Sequence, residues 1–193
     1  ILLGWEQLFP SPKPQPQTAT QSTTTATQAT PLTATSPITV ETDTVKAVID
    51  EKSGDLRSMT LRHYDATNDT NQQFTLFSDG KPLTYIAQSE LIDAAGSNVL
   101  ANATFSAAQK SYIMNSDKLE VRLSAQTTNG LQVDKVYTFT KGSYLVNVRF
   151  DVKNSGSQAI QLGTAYKIVR DNSTPDGEGW FMHSYTGPVV YTP

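Results

Sequence analysis

The stretch Leu119–Asn154, LEVRLSAQTTNGLQVDKVYTFTKGSYLVNVRFDVKN, decides the fold of this chain. Apolar and polar residues alternate along it in three runs, which are separated by Asn129-Gly130 and Lys141-Gly142. Successive side chains of a strand point to opposite faces, so this alternation predicts strands with one buried face each. The Asn-Gly pair supplies the positive φ angles of a tight hairpin turn. We therefore predict three consecutive antiparallel strands.

The second run has one irregularity, at Lys135-Val136. The apolar residues around this pair share one parity: Leu131, Val133, Tyr137 and Phe139. In the third run, a slip of one residue would turn the apolar parity toward water, at a cost of about 1.5–3 kcal/mol for each fully exposed side chain. The register is therefore well specified.

The first part of the chain has few residues that could form a core. Ile1–Trp5 is apolar but much shorter than the about 20 residues that a membrane span needs. It is either the exit end of a transmembrane helix, with Trp5 at the membrane interface, or an ordinary frayed terminus. Ser11–Pro37 consists almost wholly of Thr, Pro, Ala, Gln and Ser. Such a composition cannot offset the entropy cost of ordering, so we predict a disordered, extended linker.

From Ile38 onward, short apolar runs with turn signals between them predict further strands. These are Val45–Asp50, Leu56–Leu61, Phe74–Phe77, Leu83–Gln88, Ser111–Met114 and Ile160–Arg170. Asp65–Gln73 is predicted to be a polar loop, and Leu91–Ala108 a loop with one short strand around Thr104–Ala107. An apolar pattern resumes at Trp180–Tyr185. Helical apolar spacing is absent, so the sequence predicts an all-β fold of two packed antiparallel sheets.

Composition excludes several classes of function. The net charge is −3, the pI is about 5.3, and no cluster of Lys and Arg occurs, which argues against nucleic acid as a partner. Cysteine is absent, which excludes disulfides, thiolate catalysis and cysteine-ligated zinc. The sequence also lacks a phosphate-binding glycine loop, a serine nucleophile elbow and an HExxH pattern. We therefore predict no catalytic residue, no metal site and no cofactor.

The nearest approach to a chemical site is a loop followed by a histidine. The segment Asp176–Trp180, which includes Glu178, precedes His183. A carboxylate, an imidazole and a stacking aromatic ring are groups that a sugar-handling site would use. We favour the simpler interpretation, a polar loop followed by a core Trp, because Asp and Gly are common in turns. His63 and His183 lack local ligand spacing, so no metal role is predicted for them.

Other polar residues have a plain explanation. Asn-x-Ser/Thr sequences at Asn68, Asn102 and Asn172 are expected by chance in a chain rich in Ser and Thr. The charged residues of the central strands are predicted to form a solvated face. They are Glu120, Arg122, Arg149, Asp151 and Lys153.

Several segments, taken in order along the chain, resemble one family. They are ITVETD (38–43), SGDL (53–56), YTFTKGSYLVNV (137–148), FDVKNSG (150–156) and MHSYTGPVVYTP (182–193). Together they are similar to the first periplasmic domain of the YidC membrane protein insertase family of Gram-negative bacteria. These motifs are strands and turns rather than catalytic residues.

The resemblance implies an organisation for the whole chain. Residues 1–9 would be the end of a truncated transmembrane helix, and residues 10–37 a variable linker. Residues 38–193 would be a periplasmic β-sandwich domain, truncated at its C-terminus, on the periplasmic side of the inner membrane. The implied fold is a β-supersandwich similar to that of galactose mutarotase. The residues that perform insertion in this family lie outside the chain.

The resemblance also implies a function. The domain would be non-catalytic and would assist membrane protein insertion and folding by contacting Sec translocon accessory subunits or nascent membrane proteins. The residues that bind a partner are not identifiable from the sequence. A carbohydrate-binding or mutarotase-like periplasmic protein is the alternative, because a fold by itself does not determine activity. An adhesive sandwich on a threonine-rich stalk is a third possibility.

Overall fold

The computed structural model describes residues 36–67, 69–80, 83–171, 173 and 187. Within these residues every regular element is a β-strand, and the strands are β1 Pro37–Glu41, β2 Val45–Asp50, β3 Leu56–Ala66, β4 Asp69–Phe77, β5 Tyr85–Asp93, β6 Ser106–Ala107, β7 Ser111–Ile113, β8 Lys118–Gln126, β9 Leu131–Thr140, β10 Val146–Asn154 and β11 Leu162–Arg170. No helix long and apolar enough to cross a membrane occurs in this part of the chain. The predicted membrane end, 1–9, and nearly all of the predicted linker, 10–37, lie outside the described residues.

The strands form two sheets. Sheet A has the order β11-β5-β3-β2-β1-β7, with β4 paired to β3, and sheet B has the order β10-β9-β8-β6. Neighbouring strands are antiparallel except for β1 and β7, which run parallel. The prediction of an all-β fold of two sheets is confirmed. Its likeness to galactose mutarotase stays a prediction.

Sheet B contains the three strands on which the fold prediction rests. Their registers agree with the alternation, because Phe139 of β9 lies opposite both Leu119 of β8 and Val146 of β10. Gly130 in the β8–β9 turn has a φ of 88°, the left-handed conformation that a side chain would strain. The third strand begins at Val146, slightly later than its apolar pattern, which starts at Tyr144.

The core lies between the sheets. It includes Ile38 and Ile49 of sheet A, and Val121, Leu123 and Tyr137 of sheet B, in one continuous cluster. Each such side chain contributes about 1.5–3 kcal/mol when it is fully buried. The inward face of sheet B is therefore held against sheet A by apolar contacts along β8 and β9.

The predicted polar loop Asp65–Gln73 is wrong. β3 continues to Ala66 and β4 begins at Asp69, so most of this stretch belongs to paired strands. The side chains of β4 are nearly all exposed, and backbone pairing rather than apolar burial places the strand there. Periodicity could not detect it, because no apolar face is buried. The predicted loop from Leu91 also starts too early, because β5 extends to Asp93.

Three other strand predictions are confirmed, one of them with an unexpected environment. The short strand near Thr104–Ala107 is β6, and the strand at Ser111–Met114 is β7. β11 forms as predicted, but its apolar residues Tyr166 and Ile168 are 63% and 62% exposed. β11 is the last strand of sheet A, and β5 is its paired neighbour among the described residues.

Candidate functional site

Of the histidines and the carboxylate singled out in the sequence, only His63 lies in the described part of the chain. His63 lies at an exposed position on β3, where its Nε2 is 2.9 Å from the carbonyl oxygen of Asp43. No group of three His, Cys, Asp or Glu residues able to hold a metal ion is found among the described residues. Glu178, Trp180 and His183 lie outside the described residues, as do Asn68 and Asn172.

The outer face of sheet B carries a network of ion pairs, which we call the charged face (Glu120, Arg122, Asp134, Arg149 and Asp151). Arg122 Nη1 lies 2.7 Å from Asp134 Oδ2 and 3.2 Å from Asp151 Oδ2. Arg149 Nη1 lies 2.9 Å from Glu120 Oε1, and its Nε lies 3.2 Å from Asp151 Oδ1. All five side chains are partly exposed, so each pair contributes only about 0–1 kcal/mol.

The two arginines explain why Val136 interrupts the alternation. Val136 points to the outer face, directly between Arg122 of β8 and Arg149 of β10, yet it is fully buried. Long Arg side chains cover apolar surface with their methylene stems while the guanidinium stays in water. We attribute the burial of Val136 to these two stems. The charged face is therefore a solvated face, as predicted, with an apolar residue beneath it.

Lys135 has the opposite surroundings, because its side chain is completely buried between the sheets. Its Nζ donates a hydrogen bond to the carbonyl oxygen of Ser89 at 3.0 Å and lies 3.7 Å from Asp55 Oδ1. The rings of Tyr137 and Phe150 lie nearby, with centroids 5.7 and 5.6 Å from Nζ. Since Asp55 and Ser89 belong to the sheet A side, Lys135 links the two sheets through a buried charge.

Burial and pairing act in opposite directions on this lysine. Desolvation is the larger effect and lowers the pKa of Lys135 from 10.5 to about 8, although Asp55 acts to raise it. Asp55 is itself almost fully buried, and its Oδ2 accepts a hydrogen bond from Gln88 Nε2 at 2.9 Å. The carboxylate thus has two partners, one of them charged. A buried pair of this kind is costly to break, because the remaining charge is left without compensation.

Tyr137 and Gly54 form a second polar link between the sheets, close to Lys135. The Tyr137 hydroxyl donates a hydrogen bond to the carbonyl oxygen of Gly54 at 2.6 Å. Burial raises the pKa of this phenol well above its usual range, so the hydroxyl stays neutral. Gly54 has a φ of 67°, and a Cβ built there would lie 3.1 Å from Lys135 Cδ and 3.2 Å from the Phe105 ring. Only glycine combines this backbone conformation with so close an approach.

An apolar groove opens where β10 of sheet B faces β4, β5 and β11 of sheet A; we call it the mouth. Its cavity measures about 260 Å³, and its described lining contains no charged residue. The side chains that form it include Met59, Phe77, Tyr137, Val148 and Tyr166. Most of these are inward-facing core positions, so the mouth is interior surface of the sandwich that the described residues leave uncovered.

A polar cavity of about 340 Å³ lies elsewhere, beside the loop between β5 and β6. Asp55, Gln88, Glu90 and Asn98 contribute to its lining, together with Phe105. Glu90 is paired with Lys167, and Asp55 with Gln88 and Lys135. The two carboxylates of this cavity are therefore already engaged with other residues of the chain, and Lys52 also contributes to its lining.

Sequence reasoning anticipated the charged face but missed the buried pair and the mouth. The interruption at Lys135-Val136 was the available signal for the pair, because Lys135 falls on the apolar parity. Its partner Asp55 lies in a turn far away in sequence, and nothing in the local pattern connects them. The mouth had no signal, since its residues come from β3, β4, β5, β9, β10 and β11.

Comparison with known proteins gives a consistent family. Residues 37–193 match the family model described as the YidC periplasmic domain. The chain is 60% identical, over its whole length, to the membrane protein insertase YidC of Neisseria meningitidis serogroup C, and 63% identical to that of Neisseria gonorrhoeae. The YidC of Laribacter hongkongensis is 36% identical over 83% of the chain.

The match is confined to part of each relative. The chain spans 36% of the length of the Neisseria proteins and 30% of the Laribacter protein. The matched region of the family model begins at Pro37, the first residue of β1, so the described sandwich lies within it. The chain therefore belongs to the YidC family, and from residue 37 onward it is a YidC periplasmic domain.

Proposed function

We propose that this chain serves as the non-catalytic periplasmic domain of an inner-membrane protein insertase. The observation that carries the proposal is the family match over residues 37–193, together with relatives at 60–63% identity that are named as insertases. In that role the domain assists the insertion and folding of membrane proteins. It does so through contacts with Sec translocon accessory subunits or with the emerging substrates.

The state of the charged residues supports a non-catalytic role. A general acid or base needs a pKa near the working pH and access to a substrate. Lys135 has the shifted pKa but is fully buried between the sheets. The carboxylates of the charged face are ion-paired, and a hydrogen bond from Arg149 holds the pKa of Glu120 below its usual value. These groups favour a scaffold over an acid–base catalyst.

A binding experiment with mapped contacts tests the proposal. A photoreactive residue would be placed singly at exposed positions on different parts of the surface: Ile113 on β7, Leu145 before β10 and Gln158 after it. The protein would then be mixed with Sec accessory subunits in a membrane mimetic. We expect adducts from a subset of the positions, because one face should make the contact. A variant with the photoreactive residue at buried Val121 is the matched control and should give none.

Two results would contradict the proposal. One is the lack of adducts from all exposed positions, both with Sec subunits and with a nascent inner-membrane protein. The other is saturable binding of a sugar by calorimetry that Glu178→Gln or His183→Ala abolishes. The second result would favour the carbohydrate-binding alternative, since those residues are its only support in the sequence.

A further inference from the structure

Four segments of the chain meet at the carboxylate of Glu51, the residue that directly follows β2. Its Oε2 accepts a hydrogen bond from the Ser36 hydroxyl at 2.7 Å and is paired with the ammonium of Lys110. Its Oε1 accepts a hydrogen bond from the backbone N–H of Ala107 at 3.1 Å. The Glu51 side chain is only 14% exposed, so a carboxylate largely removed from water has three donors. We call these four residues the entry latch.

Three side chains of the entry latch form a closed triangle. Lys110 Nζ also donates to the Ser36 hydroxyl oxygen at 3.1 Å, so Ser36, Glu51 and Lys110 each contact the other two. Backbone bonds run beside the triangle. The N–H of Glu51 donates to the carbonyl oxygen of Ser36, and the N–H of Thr39 donates to that of Lys110, both at 2.9 Å. Hydrogen bonds with an ionised partner are stronger than neutral ones, so the triangle adds to this backbone pairing.

The entry latch spans both sheets. Ser36 directly precedes β1 and Glu51 directly follows β2, and both of these strands belong to sheet A. Ala107 is the last residue of β6 in sheet B, and Lys110 lies where the chain crosses from β6 to β7 of sheet A. One carboxylate therefore joins the start of β1 to sheet B and to the crossover between the sheets.

We propose that the entry latch fixes the point at which the chain enters the sandwich, by coupling the position of Ser36 to the crossover between β6 and β7. Backbone pairing alone is weak at this end of β1. Its first residue, Pro37, has no N–H to donate to β2, and β7 pairs with β1 only from Thr39 onward. The end of such a segment frays unless other contacts hold it, and the latch supplies them. This inference does not depend on the proposed partners.

The electrostatics of Glu51 support a closed latch. The hydrogen bond from Lys110 has the largest effect, and with those from Ser36 and Ala107 it lowers the pKa of Glu51 from 4.5 to about 2. Lys110 itself is 57% exposed, and an exposed ion pair alone contributes little because water screens it. The latch differs from such a pair because its acceptor is mostly buried and has donors from three separate segments.

Amide hydrogen exchange, measured residue by residue by NMR on the whole chain, tests the proposal. Glu51→Gln keeps the size of the side chain and removes its charge. We expect the amides of residues 39, 51 and 107 to exchange roughly tenfold faster or more, because a charge-assisted hydrogen bond is lost there. The amide of Met114 donates to the carbonyl oxygen of Glu41 at the other end of β1, and its exchange should be unchanged.

Glu41→Gln is the matched control. Glu41 is also ion-paired, with its Oε1 2.9 Å from Arg62 Nη1, but it lies at the opposite end of β1 from Ser36. This variant should leave the exchange of residues 39, 51 and 107 as in the parent. Both glutamates lie outside the apolar core, so the fold should be retained, and far-UV circular dichroism checks this.

A change at Ser36 tests the coupling between the sheets. Ser36→Ala removes only the hydroxyl, and we expect it to speed the exchange of the amide of Ala107, which belongs to the other sheet. Ser36→Thr keeps a hydroxyl and should retain most of the protection. A role for Ser36 confined to its own strand pair would change the amide of Glu51 alone.

Titration of Glu51 by NMR supplies a measurement that does not depend on exchange. The parent should titrate near pH 2, and Lys110→Met should raise the pKa of Glu51 toward 4.5, because it removes the hydrogen bond with the largest effect.

Three results would overturn the proposal. A pKa of Glu51 near 4.5 in the parent would show that the latch is open in solution. Equal responses of residues 39, 51 and 107 to Glu51→Gln and Glu41→Gln would show that the contacts of Glu51 are not special. An effect of Ser36→Ala limited to residue 51 would show that the entry of the chain is not coupled to sheet B.

Discussion

Asp134 and Lys135 are neighbours in the chain, yet they lie on opposite faces of β9 and in opposite surroundings. Asp134 belongs to the charged face, where it accepts hydrogen bonds from Ser124 Oγ at 2.6 Å and Arg122 Nη1 at 2.7 Å in contact with water. Lys135 points into the core and has Asp55 as its charged partner at 3.7 Å. One strand therefore carries two kinds of ion pair.

The difference shows that burial rather than geometry determines how much such a pair matters. The contacts of Arg122 are shorter than the contact between Lys135 and Asp55. Water screens the exposed contacts, and losing one leaves both partners solvated. On the inner face no water replaces a missing partner, so the loss of one charge leaves the other stranded. The longer contact should be the more consequential.

The largest expected effect comes from breaking the inner pair. Asp55→Asn should lower the free energy of unfolding by about 3–5 kcal/mol, because it leaves the Lys135 ammonium buried without its counter-charge. Urea denaturation of the parent and the variant measures this directly.

The double variant Lys135→Met/Asp55→Asn tests whether an uncompensated charge causes the loss of stability. It removes both charges and retains an acceptor for Gln88, so it should recover most of the lost stability, as replacing a buried pair often does. If the double variant is as unstable as Asp55→Asn alone, the lost hydrogen bonding of the carboxylate rather than an uncompensated charge would explain the loss.

The second effect concerns alkaline pH. Because the pKa of Lys135 is about 8 in the folded state and 10.5 for an unperturbed lysine, the unfolded chain binds more protons between these values. Stability from this group should therefore rise as the pH increases from about 8 to 10.5, and the penalty should be fully present below pH 8. Unfolding free energies of the parent, minus those of the double variant, measure this. A difference that does not change over this window would contradict a buried, charged Lys135.

A smaller effect is expected from the neighbouring polar link. Tyr137→Phe should cost about 1–3 kcal/mol, because the buried carbonyl oxygen of Gly54 loses its donor. Tyr64→Phe is the matched control, since Tyr64 is exposed, and it should stay within about 0.5 kcal/mol of the parent. Equal losses for the two variants would mean that the hydrogen bond to Gly54 adds nothing measurable to the free energy of unfolding.

The smallest effect is expected on the charged face. Arg122→Ala should cost no more than about 1 kcal/mol, part of it from uncovering Val136. The ionic part of the loss should shrink as salt is raised toward 1 M, where the screening length falls to about 3 Å. Denaturation at low and high salt measures both parts. A loss as large as that of Asp55→Asn would contradict the distinction between the two faces.

Much of the fold could be predicted because its signal is local. Alternation and the Asn129-Gly130 turn identified β8, β9 and β10, and the same reasoning found β2 and β7. The first part of β4, residues 69–73, was missed because its side chains are solvated on both faces and show no apolar period. The buried charge was visible only as an irregularity at Lys135, since its partner Asp55 comes from a distant turn.

The two exposed apolar residues of β11 show that an apolar pattern can predict a strand correctly and its burial wrongly. Their parity predicts a buried face, and the strand forms, but Tyr166 and Ile168 stay exposed in the described residues. An alternating pattern predicts that one face of a strand is buried. Which element buries that face depends on the tertiary structure.

By itself, the sequence determined the all-β class, the register of Leu119–Asn154 and the family of the chain. These depend on side-chain period, turn chemistry and the order of short motifs, all of which are local along the chain. Only the tertiary structure decided that Lys135 faces Asp55, that two Arg stems cover Val136, and that a mouth opens between β10 and β11. Each of these depends on residues brought together from distant strands, and their energies are set by how much water the packing of two sheets excludes.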